Sequence, residues 1–252
     1  MANTLKAVAV CLSLWSRLAM AGAPEVTPYR PTVSNPAALS APGLLEFEAG
    51  FAHLRNDAHT RRDSVPYLFK YAFSEDIGVL VGGDAYLQQE DAAGNRLSGV
   101  GDTVAELKLR HALNDRTALG IEAGVRFPTA KTGLGAEQRD YLVNGIFSTE
   151  WSGLDLDVNL AYTRLGLVDT GESHSEIGWA VAVAGKLGGP WGWAGELSGA
   201  VRDGTSGRTQ ALAAVSYRAA RTLVFDLGLA HNLGQQNGET IVFAGCAILF
   251  DR

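Results

Sequence analysis

The chain has little of what marks a secreted disulfide protein, a helical membrane protein or an enzyme. Of its 252 residues, two are cysteines, Cys11 and Cys246. Cys11 falls in a leader expected to be cleaved, so one thiol remains and no internal disulfide can form. No later segment is apolar enough to span a bilayer as a helix, which needs about 20 apolar residues. Positive charge is also scarce. Lys and Arg number 21 against 27 Asp and Glu. That balance argues against nucleic acid as a partner. The histidines His53, His59, His111, His174 and His231 are scattered, none at metal-ligand spacing from another His or Cys. No Ser sits in a nucleophile-elbow pattern. Gly99-Val100-Gly101 lacks the rest of a dinucleotide fingerprint. These absences lead us to expect no metal, no cofactor and no enzyme site.

What the chain has is rhythm. Ser64–Phe73 alternates apolar and polar residues, with Val65, Tyr67, Phe69, Tyr71 and Phe73 on one face. A period of two marks a strand with different surroundings on its two faces. Twelve such segments follow one another: 44–54, 64–73, 77–88, 100–113, 117–127, 139–151, 154–164, 176–187, 191–202, 209–218, 222–232 and 240–250. Their connectors alternate short and long. The pattern predicts an all-β fold, a 12-stranded antiparallel up-and-down transmembrane barrel. Its short turns would face the periplasm and its longer loops the outside of the cell.

Face parity tests the assignment. The apolar set is odd-numbered up to residue 151, as in Leu119, Ile121 and Val125. After Ser152-Gly153 it turns even, as in Leu154, Leu156 and Val158. A two-residue hairpin requires that switch. The opposite face carries the charges Lys70, Asp84, Asp102, Glu106, Lys108, Arg110, Glu122, Arg126, Glu150, Asp155, Asp157, Lys186, Glu196, Arg202, Arg218 and Asp226, together with Glu46, Glu48, Asp140 and Glu176. A Lys or Arg facing lipid at mid-depth costs roughly 2–4 kcal/mol, so this face must be the lumen. Arg164, at a strand end, is the one clear charge on the apolar face. Aromatics sort into two belts: Phe47, Phe73, Trp151, Trp191, Trp193, Tyr217 and Phe225 near the short turns, and Phe51, Tyr67, Phe127, Tyr141, Tyr162, Trp179 and Phe243 near the long loops. A soluble sandwich would predict neither the belts nor a charged face running through every strand.

Met1–Lys6 is basic, Ala7–Trp15 is apolar and Ala19-Met20-Ala21 offers a small-x-small cleavage site. Residues 1–21 thus have the form of a secretory signal peptide. Removing them takes Lys6 and Arg17 and no acid, leaving 19 bases and 27 acids. Residues 22–43 do not alternate and hold Pro24, Pro28, Pro31, Pro36 and Pro42. They are expected to be irregular, either a periplasmic lead-in or a plug folded into the lumen. Residues 44–252 form the barrel.

Several short motifs recur in order: Arg30-Pro31-Thr32-Val33-Ser34-Asn35-Pro36, then Ala41–Phe51, Lys70-Tyr71, Gly99-Val100-Gly101-Asp102 with Lys108 further on, and Phe127-Pro128-Thr129. In this the chain resembles the proteobacterial outer-membrane β-barrel family labelled meta-pathway phenol degradation transporters. The resemblance implies a transporter-like barrel with small aromatic or apolar substrates, and carries over no catalytic residue. The chain departs from the usual barrel ending, because Asp251 and Arg252 follow Phe250 and displace the aromatic signal read by the barrel-assembly machinery.

The expected function is passive uptake of small solutes through the outer membrane. The alternatives are a membrane-embedded, phospholipase-like hydrolase, with His231-Asn232 the place to look, and a non-conducting structural barrel. The expected partners are the lipid bilayer and lipopolysaccharide, the barrel-assembly machinery and a small-molecule solute. The 13 acids and seven bases on the lumen face predict a preference for cations. The two-residue turn sets Glu150 opposite Asp155, and Lys186 is expected within salt-bridge reach of that pair.

Overall fold

The computed structural model describes residues 23–234 and 238–251. The expected signal peptide lies outside the described residues. The strands are β1 (Leu45–Arg55), β2 (Arg61–Ala72), β3 (Ile77–Glu90), β4 (Arg96–Gly99), β5 (Thr103–Ala112), β6 (Thr117–Phe127), β7 (Asp140–Trp151), β8 (Leu154–Arg164), β9 (Ser175–Gly188), β10 (Trp191–Arg202), β11 (Arg208–Ala220), β12 (Leu223–Asn232) and β13 (Thr240–Phe250). All but β4 form an antiparallel up-and-down barrel. Pairing of β1 with β13, from Leu45↔Phe250 to Arg55↔Thr240, closes the sheet. Closure leaves the twelve strands of the wall no free edge, which a span through lipid requires.

The local chemistry follows the sequence pattern. Ser152 and Gly153 both take positive φ, 54° and 80°, as a two-residue primed turn demands. Glu150 then pairs with Asp155 across β7 and β8, and the outward set changes parity there. Phe127, Tyr141, Val143 and Phe147 point out before the turn, Leu160 and Tyr162 after it. These and the other outward apolar side chains make a girdle that only a bilayer would cover. At the short-turn end Trp191 and Tyr217 pack with centroids 4.9 Å apart and ring planes tilted by 60°.

Three details differ from expectation. The strand expected at 100–113 is interrupted at Val100–Asp102, where Gly101 N donates to Asp84 O at 2.8 Å. The residues before the break form β4, which pairs with the end of β3, so most of the expected loop Gln89–Gly99 is a hairpin standing above the barrel. Its tip is capped by Asp91, whose carboxyl is held below its ordinary range by hydrogen bonds from the Asn95 side chain and from backbone N–H groups. A bulge at Ala85 sets Val65 against Tyr86 but Pro66 against Asp84. The irregularity accommodates Pro66, which has no N–H to give the ladder. Phe243, expected in the outer aromatic belt, faces the lumen and packs on Leu212, Ala214 and Ala230. In β13 the outward residues are even-numbered, as Val242 and Phe250 show.

Candidate functional site

Residues 23–43 occupy the interior of the barrel. Val26 N donates to Arg221 O, in the turn between β11 and β12, at 2.9 Å, and Gly43 N donates to Ala72 O, at the end of β2, at 2.8 Å. Both anchors are at the short-turn end. Between them the chain rises to the middle of the wall and returns. Having no helix or strand of its own, the segment must satisfy its amides elsewhere. Thr27 N donates to Glu46 at 3.0 Å, Tyr29 N and Arg30 N to the two oxygens of Glu48 at 2.7 and 3.0 Å, and Ser34 N to Glu196 at 2.8 Å. Asn35 N donates to Asn159 at 2.9 Å and Ala37 N to Ser148 at 2.7 Å.

Two ammonium groups complete the clasp. Lys70 Nζ lies 2.6 Å from Glu46, 2.5 Å from Glu48 and 2.5 Å from the carbonyl of Thr27. Lys108 Nζ lies 2.9 Å from Glu122 and donates to Pro36 O at 2.5 Å. The ring of Tyr29 stands between the two cations, 3.9 and 4.1 Å from them, and its hydroxyl donates to Ala38 O at 2.7 Å. Glu46, Glu48, Lys70, Lys108 and Glu122 are each at most 1% exposed. Charges this buried persist only when paired, and here every pair also involves the inserted segment.

Arg30 and Asn35 fasten the segment to opposite sides of the wall. The Arg30 guanidinium is bidentate to Asp226, both contacts at 3.0 Å. It passes over Gly50 and Gly245, which face each other across β1 and β13. A Cβ on Gly50 would come within 2.7 Å of the guanidinium and one on Gly245 within 2.5 Å, so the two glycines form the notch that admits Arg30. The Asn35 side chain donates to both oxygens of Glu122 at 2.9 and 3.1 Å, and the Asn35 backbone carbonyl accepts from the Asn159 side chain at 2.9 Å. Asn144 bridges Glu122 and Asn159, 2.9 Å from each.

The sixteen charges singled out in the sequence fall at three heights. Lys70, Lys108, Glu122, Glu196 and Asp226 hold the segment at the waist. Toward the long loops, Asp84 lies 3.7 Å from Arg62, Arg126 2.8 Å from Asp140 and Arg202 3.2 Å from Glu172. Asp102 accepts from Ala130 N at 3.0 Å and Ala136 N at 2.6 Å, and so ties down the loop 128–138. Glu106 lines a cavity above the waist. Toward the short turns, Arg110 lies 3.8 Å from Asp76 and Arg218 3.3 Å from Glu25, Asp157 accepts from Ser148, and Glu150 and Asp155 are exposed.

Lys186 does not do what was expected of it. It makes no ion pair within 4.0 Å among the described residues. Asp155 is in register with Ala184, so Lys186 sits two residues nearer the turn, opposite Gly192 and exposed. Counting charges overlooked Tyr29, Arg30, Asn35, Asn144 and Asn159. Asn144 and Asn159 stand on the lumen parity of β7 and β8, and that parity would have found them.

The segment divides the lumen. Above it lies a cavity of about 280 Å³ bounded by Val33, Asn35, Glu106, Asn144, Asn159, Glu176, Ser198, Arg208 and Gln210. Below it lies one of about 440 Å³ bounded by Pro28, Arg30, Pro31, Pro36, Arg110, Glu150, Asp155 and Asp157.

The sequence matches no family model and no curated protein. Solved structures do resemble it. An outer membrane channel from Pseudomonas putida F1 superposes with a TM-score of 0.67 at 14% identity, over 90% of this chain and 100% of that one. The NanC porin gives 0.60 at 10%, over 81% and 98%. A mutant of the TodX monoaromatic hydrocarbon channel gives 0.53 at 9%, over 84% and 91%. At such identities the likeness carries the fold alone, and that fold is the outer-membrane β-barrel. The narrower resemblance to phenol degradation transporters rests on the sequence motifs.

Proposed function

We propose that this chain is a bacterial outer-membrane channel for passive passage of small solutes, held shut at its waist by residues 23–43. The observation that carries the reading is the way the lumen is filled. A purely structural barrel can close its interior with wall side chains. Here the wall presents carboxylates, amides and ammonium groups to a segment that belongs to no strand. Cavities lie on both sides of it. Apart from a small apolar contact of Ala37 with Ala118 and Ile146, the fastenings at the waist are polar, so water can replace them when the segment withdraws.

The upper cavity suits a compact solute. Ala161, Gly178, Ala180 and Ala200 give it apolar wall, and Asn144, Asn159, Ser198 and Gln210 give it polar contacts. Small aromatic or apolar compounds with one polar edge fit that mixture. The motif resemblance and the hydrocarbon channel among the structural neighbours favour the same class. The surplus of acids along the wall favours cations among charged solutes. The hydrolase reading has less support. His53 Nδ1 lies 2.6 Å from Asp63, and His231 Nδ1 lies 2.9 Å from the Thr240 hydroxyl. Among the described residues no serine hydroxyl hydrogen-bonds to either ring.

Planar-bilayer recording tests the proposal. The full barrel is expected to give small, brief openings, and deletion of residues 24–40 a larger, sustained conductance with a reversal potential favouring cations. A deletion variant that folds and stays silent would leave a structural barrel. A full-length protein that is permanently open would rule out closure by the segment.

A further inference from the structure

Arg164 is a charge on the outer surface of the barrel that makes no ion pair among the described residues. It ends β8 in register with Tyr141 of β7, which is 55% exposed on the outer face. Beside it, immediately before β7, the Arg139 guanidinium carbon stands 5.9 Å over the outward ring of Phe127. Neither arginine has a carboxylate within 4.0 Å among the described residues. By contrast, Arg126 and Arg202, on the lumen side at the same end of the barrel, are both paired. The two unpaired arginines line one outward-opening cleft of about 520 Å³ with Pro128, Gln138, Tyr141 and His174. His174 Nδ1 is bonded to Leu165 O at 2.7 Å, which leaves Nε2 as the ring's remaining polar atom.

We propose that this cleft binds a phosphate group carried by a glycolipid of the outer leaflet, the lipid A class. Height, charge and shape point the same way. The cleft lies at the long-loop end, at the level of Phe127, Tyr141 and Tyr162, where a membrane's headgroups begin. A planar guanidinium matches two phosphate oxygens at once, and two arginines on one cleft can share one phosphate or grip neighbouring ones. Their stems and the adjacent aromatic rings can lie along acyl chains while the charged heads reach the headgroup. The inference needs the barrel to sit with its long loops outward and does not depend on whether it conducts.

The test uses the full-length barrel in detergent, with bisphosphorylated lipid A as the probe and native mass spectrometry as the readout. Wild type should retain the lipid. Arg139→Gln/Arg164→Gln should bind it about thirty-fold more weakly, at about fivefold for each arginine near a charged headgroup. Arg139→Lys/Arg164→Lys should recover part of the loss. Arg116→Gln, in a short turn at the other end, should change nothing, and resistance to unfolding in cold detergent gels establishes that each variant is folded. Dephosphorylated lipid A should bind wild type no better than intact lipid A binds the double variant. Equal retention of intact lipid A by wild type and the double variant would overturn the proposal. So would equal binding of dephosphorylated lipid A to wild type, or millimolar inorganic phosphate occupying the cleft and displacing the lipid.

Discussion

The inserted segment 23–43 and the outer loop 128–138 are fastened to the wall by one device and to very different degrees. Each is irregular chain whose backbone N–H groups donate to carboxylates on lumen-facing positions. In the loop, Ala130 N and Ala136 N share Asp102. In the segment, Thr27, Tyr29, Arg30 and Ser34 use Glu46, Glu48 and Glu196. The difference lies behind the carboxylate. Asp102 is half-buried with no cation on it. Glu46 and Glu48 are fully buried and share Lys70, which also holds the segment's own carbonyl at Thr27. Loosening the loop therefore exposes one carboxylate that water can solvate. Loosening the segment at its tip without admitting water would strand several charges in a low-dielectric interior.

The apolar contacts sharpen the contrast. Val26, near the root of the segment, packs with Val224, Ala247 and Leu249 at the short-turn end. The tip, Ser34-Asn35, is held almost wholly by hydrogen bonds. An apolar root and a polar tip suit a strap that withdraws tip first while its base stays docked. Opening and hydration of the waist are then one event.

The largest effect is expected from Glu48→Ala. It removes the acceptor of two segment amides and one of the two carboxylates on Lys70. Breaking one partner out of a buried charge pair costs about 3–5 kcal/mol. The barrel can relieve that cost by releasing the segment and letting water in. Open probability should rise steeply, chymotrypsin should gain access to the bond after the buried Tyr29, and the urea midpoint should fall. Glu48→Gln, which keeps an acceptor, should fall between. A Glu48→Ala channel as closed as wild type would show that the contrast between segment and loop has no energetic weight.

A smaller effect is expected at the notch. Gly245→Val adds no charge and removes none, yet its side chain would occupy the place of the Arg30 guanidinium and part it from Asp226. In open probability it should mimic Arg30→Met, each loosening the segment by about 1.5–3 kcal/mol, the usual worth of a hydrogen bond to a charged group, while its urea midpoint falls further because the new Cβ also meets the Ala49 carbonyl of β1. Combining the two should add little, because both remove one interaction. Additive effects in single-channel open probability would place the glycine outside the clasp.

What could be read in the sequence, and what could not, follows the same division. The strands were legible because lipid and lumen impose opposite demands on alternate residues, and Ser152-Gly153 enforces a parity switch that chance seldom supplies. Phe243 misled because a lumen wall tolerates an apolar side chain when Leu212, Ala214 and Ala230 are there to receive it. Lys186 misled because nearness along adjacent strands ignored the register that sets Ala184 beside Asp155. The place of residues 22–43 stayed open because a proline-rich stretch has no period to read. Its trace was present in the excess of wall acids over wall bases. Those acids read as solvated lumen charge because their partners include backbone N–H groups, which no count of side chains records.

The smallest effect is expected at the outer loop, and it isolates the device without its buried cations. Asp102→Asn leaves one good acceptor where Ala130 N and Ala136 N now use two oxygens. The loss should be near 1 kcal/mol, the net worth of one neutral hydrogen bond. It should also stay local, because Leu134 remains buried against the β3–β4 hairpin, close to Gly99. Trypsin should cut at Lys131 several-fold faster, while conductance and the urea midpoint stay close to wild type. The comparison between the two ends depends on that separation. If Asp102→Asn also opens the waist, loop and segment belong to one cooperative unit, and the fastening at Glu48 no longer acts alone.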